Sequence, residues 1–170
     1  MNPDPFKEGL AAARRGDFPT AADLWRGLAE QGDARAQYNL GYLYANGRGV
    51  AQDYPAALTW YTRAAEQGFA PAQFNLGVLY SSDDGVPSDF PAALKWYRAA
   101  AGQGDADAQF NLGIAYALGQ GVTQDYVQAY RWYDLAATAG QEKAATTRDS
   151  IAAELTPEQL AQCQGPAVRK

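Results

Sequence analysis

The 170-residue chain contains no histidine and a single cysteine, Cys163. Without histidine, catalytic triads with an imidazole base and metal sites with imidazole ligands are excluded. One cysteine cannot form an internal disulfide, and no cysteine cluster is present to bind zinc. These absences predict a non-enzymatic protein without catalytic residues, cofactor or metal ion.

Basic residues are also scarce, since 14 Lys and Arg stand against 19 Asp and Glu, a net charge of −5. An acidic chain without a block of Lys or Arg has no electrostatic attraction for nucleic acid or for an anionic membrane surface. No apolar run approaches the ~18 residues of a membrane span. We therefore expect no nucleic-acid partner and no membrane insertion.

The first five residues, Met1–Pro5, have neither the positive charge nor the apolar run of a signal peptide. The chain as written is therefore expected in the cytoplasm. A periplasmic or secreted location stays open, because a leader can be removed from a mature protein.

What the chain does contain is an internal repeat with a period of 36 residues. Asn-Leu-Gly recurs at 39–41, 75–77 and 111–113, and Trp-Tyr recurs at 60–61, 96–97 and 132–133. A fainter and shorter copy precedes them around Gly16–Pro19. Agreement at so many positions excludes chance and predicts a repeat architecture.

Each copy has the pattern of two α-helices joined by a glycine-containing loop. Leu40 and Tyr44 share one helical face, and Gly47 is placed to end that helix in the left-handed conformation. Asp53 is placed to cap the second helix. In the middle copy Asp83 replaces the first loop glycine, and we expect the turn to survive because aspartate tolerates left-handed geometry.

A single helix pair cannot bury its apolar stripe alone, so the pairs are expected to stack into one solenoid domain. The tryptophans of the Trp-Tyr motifs are expected in its core. About nine main helices are predicted, with a short last one that starts at the Thr156–Gln159 capping box. The predicted parts are an N-terminal capping pair at 3–32, repeats at 33–68, 69–104 and 105–140, capping helices at 141–164 and a tail at 165–170.

Residues 36–68 read AQYNLGYLYANGRGVAQDYPAALTWYTRAAEQG and resemble a Sel-one-like repeat, the longer-looped relative of the tetratricopeptide repeat. The resemblance extends over roughly residues 6–155. It implies an all-α, right-handed superhelix of antiparallel helix pairs that serves, commonly in bacteria, as a protein-interaction scaffold. The chain lacks the cysteine pairs that staple each repeat in some members, so that branch is not expected.

In such solenoids the first helix of each pair lines a concave groove, and the resemblance places the candidate peptide-binding residues on it. Two sets of residues recur at the period of 36. One is the aromatic ladder, Tyr38, Phe74 and Phe110, and the other is the asparagine ladder, Asn39, Asn75 and Asn111. An amide both donates and accepts hydrogen bonds, which suits the backbone of an extended peptide. The candidates are Arg35, Tyr38, Asn39, Tyr42, Asn46, Phe74, Asn75, Val78, Ser82, Phe110, Asn111, Ile114 and Leu118.

The roles of both ladders stay open. A repeated asparagine beside a packed Leu-Gly can instead tie its helix to a neighbouring one, and the aromatics can be packing between helices. The change from Tyr42 to Val78 to Ile114 indicates a groove that becomes more apolar, with an apolar ligand segment towards the C-terminal copies.

Other constellations are weaker. The Ser81–Asp84 loop has no base to activate a nucleophile, and turn chemistry accounts for its residues. The nearby aspartates lack the spacing of a calcium loop. Cys163 has no positive cluster nearby in sequence to activate it.

The predicted function is a non-enzymatic scaffold or adaptor that binds a peptide or protein of unknown identity in the concave groove, as a monomer or weak oligomer. The alternative is a structural protein that self-assembles through its end faces or its convex face. The interaction module is the leading interpretation.

The expectation that the tryptophans are core residues gives a stability test. Trp96→Ala, in the central copy, is predicted to lower the free energy of unfolding by roughly 3–5 kcal/mol if Trp96 is fully buried. Urea unfolding measures the cost. An effect below about 1 kcal/mol would place Trp96 at the surface.

Overall fold

The structure, a computed structural model, describes residues 4–164. Over this range it contains ten α-helices and no strand, so the predicted all-α fold and helix number are confirmed. Met1–Pro3 and the tail predicted at 165–170 lie outside the described residues. Contacts divide the chain after Ser88 into two compact units. The single-domain organisation stays a prediction.

The first unit contains five helices, each packed on the next in sequence. They are α1 (Pro5–Arg14), α2 (Phe18–Glu30), α3 (Ala34–Asn46), α4 (Tyr54–Glu66) and α5 (Ala70–Ser81). The second unit contains α6 (Phe90–Gly102), α7 (Ala106–Leu118), α8 (Tyr126–Thr138), α9 (Ala144–Ala152) and α10 (Pro157–Gln164). Here α7 packs on α6 and α8, and α8 also contacts α9 and α10.

The helices begin where the sequence predicts. The Asp53 carboxylate accepts a hydrogen bond from the backbone N–H of Ala56 at 2.9 Å, and satisfies a donor that the first turn leaves free. The predicted capping box is present: Thr156 N–H donates to Gln159 Oε1 at 2.9 Å, and Gln159 N–H donates to Thr156 Oγ1 at 3.2 Å.

The turn after the first helix differs between repeats. Gly47 and Gly119 end α3 and α7 in the left-handed conformation, with φ of 61° and 70°. The expectation that Asp83 preserves this turn is wrong, because every described residue with positive φ is a glycine. Helix α5 ends at Ser81 instead, and Ser82 is extended, with φ −93° and ψ 158°. A Cβ makes the left-handed conformation unfavourable by ~1–2 kcal/mol, and the earlier helix end avoids that strain.

The prediction that every tryptophan is buried is wrong for the Trp-Tyr motifs. Tyr61 and Tyr133 are 2% and 3% exposed, whereas Trp60, Trp96 and Trp132 are half-buried. Consecutive helical residues point about 100° apart, so only one of each pair can face the neighbouring helix. In the shorter first pair Trp25 occupies the buried position.

Cationic side chains lie over two of the half-buried tryptophan rings. The Arg63 guanidinium lies 4.9 Å from the Trp60 ring centroid, and Lys95 Nζ lies 4.7 Å from that of Trp96. Such contacts are typical of rings at the surface. The cost predicted for Trp96→Ala on the assumption of full burial is therefore too high.

In the helix pairs α1–α2, α3–α4 and α7–α8 the buried aromatic ring lies against a glycine of the preceding helix. A Cβ built on Gly41 would lie 2.8 Å from Tyr61 Cδ1, and one on Gly113 would overlap the Tyr133 ring in the same way. In the first pair the Trp25 ring lies on Gly9. The glycine of Asn-Leu-Gly is therefore required for close approach, as the small residues of the repeat indicate.

Buried glutamines, not singled out by the sequence analysis, join consecutive helices. Gln37 Nε2 donates to the Ala29 carbonyl at 3.0 Å, while Gln37 Oε1 accepts from Gln67 Nε2 at 2.8 Å. Gln37, Gln73 and Gln109 recur with the period of 36, which is the signal that could have found them. Each is buried and donates to a carbonyl of the preceding helix.

This connection is incomplete at the third repeat. Gln109 Nε2 donates to the Ala101 carbonyl, but the buried Gln109 Oε1 has no partner among the described residues. Two periods, or 72 residues, after Gln67 stands Ala139, which has no side-chain donor. Its backbone has the same conformation as that of Gln67, φ −80° and ψ −1° against −82° and 3°.

Ala139→Gln should therefore stabilise the protein. The new amide is placed to donate to Gln109 Oε1, and we expect the free energy of unfolding to rise by about 0.5–1.5 kcal/mol in urea unfolding. Ala139→Glu is the matched control, because its side chain has the same length and no N–H when ionised. An equal gain in both variants would show that side-chain length, not the hydrogen bond, is responsible.

Candidate functional site

Five of the candidate residues meet at a cavity in the first unit. The cavity has a volume of about 240 Å³ and lies between α3, α4 and α5. The periodicity places these residues on the side of each first helix away from buried Leu40 and Leu76. The lining consists of the predicted Tyr42, Asn46, Asn75, Val78 and Ser82, together with Ala45, Tyr54, Tyr61, Leu79 and Asp84.

Two lining residues present apolar surface to solvent. Tyr42 and Val78 are 36% and 37% exposed, and both belong to the large hydrophobic residues that the structure leaves uncovered. They occupy the same position in successive repeats, on α3 and α5. Helices α3 and α5 therefore each contribute an exposed apolar side chain to the cavity.

One asparagine of the cavity lining, Asn75, forms a hydrogen bond to helix α4. Asn75 Nδ2 donates to the hydroxyl oxygen of Tyr61 at 3.2 Å. Burial raises the pKa of the Tyr61 phenol, although the Asn75 hydrogen bond opposes the shift. The phenol is therefore neutral at physiological pH. Asn75 thus braces α5 against α4 with its amide nitrogen.

Two further polar groups of the lining also donate to their own helix. Asn46 Nδ2 donates to the Tyr42 carbonyl at 2.8 Å, and Ser82 Oγ donates to the Leu79 carbonyl at 3.4 Å. A carbonyl only accepts, so the orientation of the Asn46 amide is determined. The oxygens of both asparagines have no hydrogen-bond partner among residues 4–164.

The remaining candidates of the first unit do not line the cavity. Tyr38 is half-buried between the rings of Tyr61 and Phe69, with centroids 5.8 and 5.4 Å away. Arg35 is exposed and forms an ion pair with Asp33 at 2.7 Å, which lowers the pKa of that carboxyl. The other two, Asn39 and Phe74, are half-buried.

In the second unit the exposed apolar candidate is Leu118, at 63%. Ile114, expected to extend the apolar surface, is half-buried and packs against a cluster that includes Tyr133. Phe110 also packs on Tyr133, with ring centroids 5.3 Å apart. Burial raises the pKa of Tyr133 to about 12. Asn111 is half-buried.

Five lining residues were not among the predicted candidates: Ala45, Tyr54, Tyr61, Leu79 and Asp84. Tyr54 and Tyr61 follow the period of 36, and that signal could have placed them beside the first helices. Asp84 lies in the loop whose conformation departs from the other repeats, and no periodic signal marks it.

No group of three or more Cys, Asp or Glu side chains able to hold a metal ion occurs in the described part of the chain. The same residues include no helix both long and apolar enough to cross a membrane. Cys163 is half-buried, and burial raises the pKa of its thiol.

The Asn75 contact makes a specific prediction for stability. Asn75→Ala leaves the buried Tyr61 hydroxyl without this partner and should lower the free energy of unfolding by about 1–3 kcal/mol. In a Tyr61→Phe background the same change should cost far less, because both polar partners are then absent. Urea unfolding of the four proteins measures the coupling. An equal cost in both backgrounds would show that the contact does not stabilise the fold.

The Sel1 repeat family model matches residues 34–69, 70–105 and 106–141, and each match contains two consecutive helices: α3 and α4, α5 and α6, and α7 and α8. These matches cover more than half of the chain. No curated protein sequence matches it.

Solved structures agree with this assignment. A Sel1 repeat protein from Oxalobacter formigenes is 37% identical, with a TM-score of 0.77, over 84% of this chain and 57% of the other. A protective antigen of uropathogenic Escherichia coli strains that displays an SLR fold is 33% identical, with a TM-score of 0.56, over 94% of this chain and 43% of its own. The present chain thus spans roughly half the length of these two relatives.

Sel1 repeat proteins generally mediate protein–protein interactions, and the family is typically a non-catalytic scaffold. The resemblance found in residues 36–68 is thereby confirmed by the family model and by both structures. The period, the helix pairs and these matches lead to one conclusion: the chain belongs to the Sel1 repeat family and has its all-α, superhelical repeat fold.

Proposed function

We propose that this protein is a non-enzymatic scaffold that binds a segment of a partner protein along the first helices of its repeats, in the concave groove expected for the family. One observation carries the proposal. Tyr42, Val78 and Leu118 are exposed, and all three lie on the first helices α3, α5 and α7.

Apolar contact supplies affinity in this proposal. Covering an exposed Leu or Val side chain is favourable by up to ~1.5–3 kcal/mol, and a few such anchors dominate most protein interfaces. Tyr42 and Val78 lie on one cavity, so a single partner segment can contact both. One bound segment would bury both residues together. Their shared position favours a binding surface over isolated exposed residues, which are common and need no explanation.

Polar groups of the cavity orient the bound partner segment in this proposal. The unpartnered oxygens of Asn46 and Asn75 line the same cavity and are available to accept N–H groups of a partner. In this proposal Asn75 has two roles, because its nitrogen bonds to the scaffold and its oxygen contacts the ligand. Asn39 and Asn111 occupy the same repeat position and are proposed to accept in the same way.

The alternative function, self-assembly, has support from a different residue. Leu135 lies on the second helix α8 and is 50% exposed, outside the set of first-helix residues. A second copy contacting this side of α8 would give a concentration-dependent oligomer. Light scattering at two concentrations therefore distinguishes self-assembly from a monomeric adaptor.

The proposed function predicts that exposed first-helix residues affect binding and not folding. Peptides selected from a phage-displayed random library against the whole protein serve as ligands. Val78→Ser and Leu118→Ser should each weaken the selected peptides by tenfold to a hundredfold, about 1–3 kcal/mol, with little change in melting temperature. Titration calorimetry and thermal melts measure the two quantities.

Leu135→Ser is the matched control, because it removes a leucine from a second helix whose exposure, 50%, lies between those of Val78 and Leu118. It should leave peptide affinity unchanged. Equal losses in the control and the two variants, or no selected peptide at all, would contradict binding along the first helices.

A further inference from the structure

Three polar side chains of the cavity between α3, α4 and α5 form hydrogen bonds to the protein itself. Asn46, Asn75 and Ser82 each direct a donor to the scaffold: to the Tyr42 carbonyl, the Tyr61 hydroxyl and the Leu79 carbonyl. The amide oxygens of Asn46 and Asn75 remain for a ligand, beside the second N–H of each amide. The lining can therefore accept hydrogen bonds from a ligand that is rich in donors.

The charge of the lining favours a positively charged ligand. Asp84 lines the cavity and forms no ion pair within residues 4–164. No lysine or arginine lines the cavity. The nearest basic contact described is Arg48, whose guanidinium carbon lies 5.7 Å from the Tyr42 ring centroid and 5.3 Å from that of Phe18. An uncompensated carboxylate among acceptors favours a cationic group.

Aromatic rings complete the lining. Tyr42, Tyr54 and Tyr61 contribute to the walls. Tyrosine rings attract cations through the negative potential of the ring face, and a guanidinium also stacks on them. The volume of about 240 Å³ is below the ~300–1,000 Å³ of small-molecule sites, and suits a single long side chain better than a cofactor.

We propose that this cavity binds the side chain of an arginine in the partner segment. The inference rests on the proposed function, since it names the residue that the partner places between α3 and α5. A guanidinium offers five N–H donors in a plane, enough for the Asp84 carboxylate and the oxygens of Asn46 and Asn75 together. The ammonium of lysine has three donors and no planar face, so it fits this lining less well.

The ligands for the test are synthetic copies of one peptide selected from the random library. They differ at a single position, which is Arg, Lys, citrulline or Ala in turn. Citrulline has nearly the shape of arginine but no charge. We expect the arginine peptide to bind about tenfold or more tightly than the citrulline peptide. The position is chosen by scanning a selected peptide for its most sensitive residue.

Asp84→Asn is the decisive variant of the protein, because it removes the carboxylate and keeps the size of the side chain. It should weaken the arginine peptide about tenfold and leave the citrulline peptide unchanged. Asp83→Asn is the matched control. It makes the same change of net charge one residue away, outside the lining, and should leave both peptides unaffected.

Each outcome bears on the inference. Arginine preference that disappears with Asp84→Asn and survives Asp83→Asn supports it. Peptides that bind with loss at Val78→Ser, yet show no preference for arginine over citrulline or no effect of Asp84→Asn, overturn the arginine site and leave the proposed function intact. Failure to select any peptide overturns both.

Discussion

The contact between an aromatic ring and a glycine is the constraint on which the helix pairs α1–α2, α3–α4 and α7–α8 depend. The Tyr61 ring lies on Gly41, the Tyr133 ring on Gly113, and any side chain at either glycine would overlap a ring. Because the ring takes the place of a missing Cβ, the two helices approach closely while the tyrosine remains buried. The rest of the pair follows: the adjacent tryptophan is turned towards the surface, and alanines fill the positions where the helices are nearest.

This packing also determines the chemistry of the candidate site. A buried phenol needs a polar partner, and for Tyr61 that partner is Asn75 of the following helix. This contact uses one N–H of the Asn75 amide and holds the side chain at the cavity lining. The packing of the core thus positions a polar residue of the candidate site.

Much of the fold could be predicted from the sequence, since period, capping aspartates and loop glycines are local signals with direct physical meaning. The positions exposed on the first helices were predictable for the same reason, as Tyr42 and Val78 show. Three features were not. The choice between Trp60 and Tyr61 as the buried ring depends on which side chain fits over a glycine of another helix. The turn at Asp83 depends on a strain of about 1–2 kcal/mol against one lost helical residue. Asp84 lines the cavity from the loop that follows this turn, where the repeat pattern gives no guide.

The glutamine contacts affect the order in which parts of the protein lose structure. Gln37 joins three consecutive helices, through Ala29 on one side and Gln67 on the other, whereas Gln109 reaches only the preceding helix. In a repeat protein, where each pair is stabilised mainly by its neighbours, such a difference sets a gradient of local stability. Amide protons of α8 should then exchange with solvent sooner than those of α4, and fraying should start at the C-terminal end of the second unit.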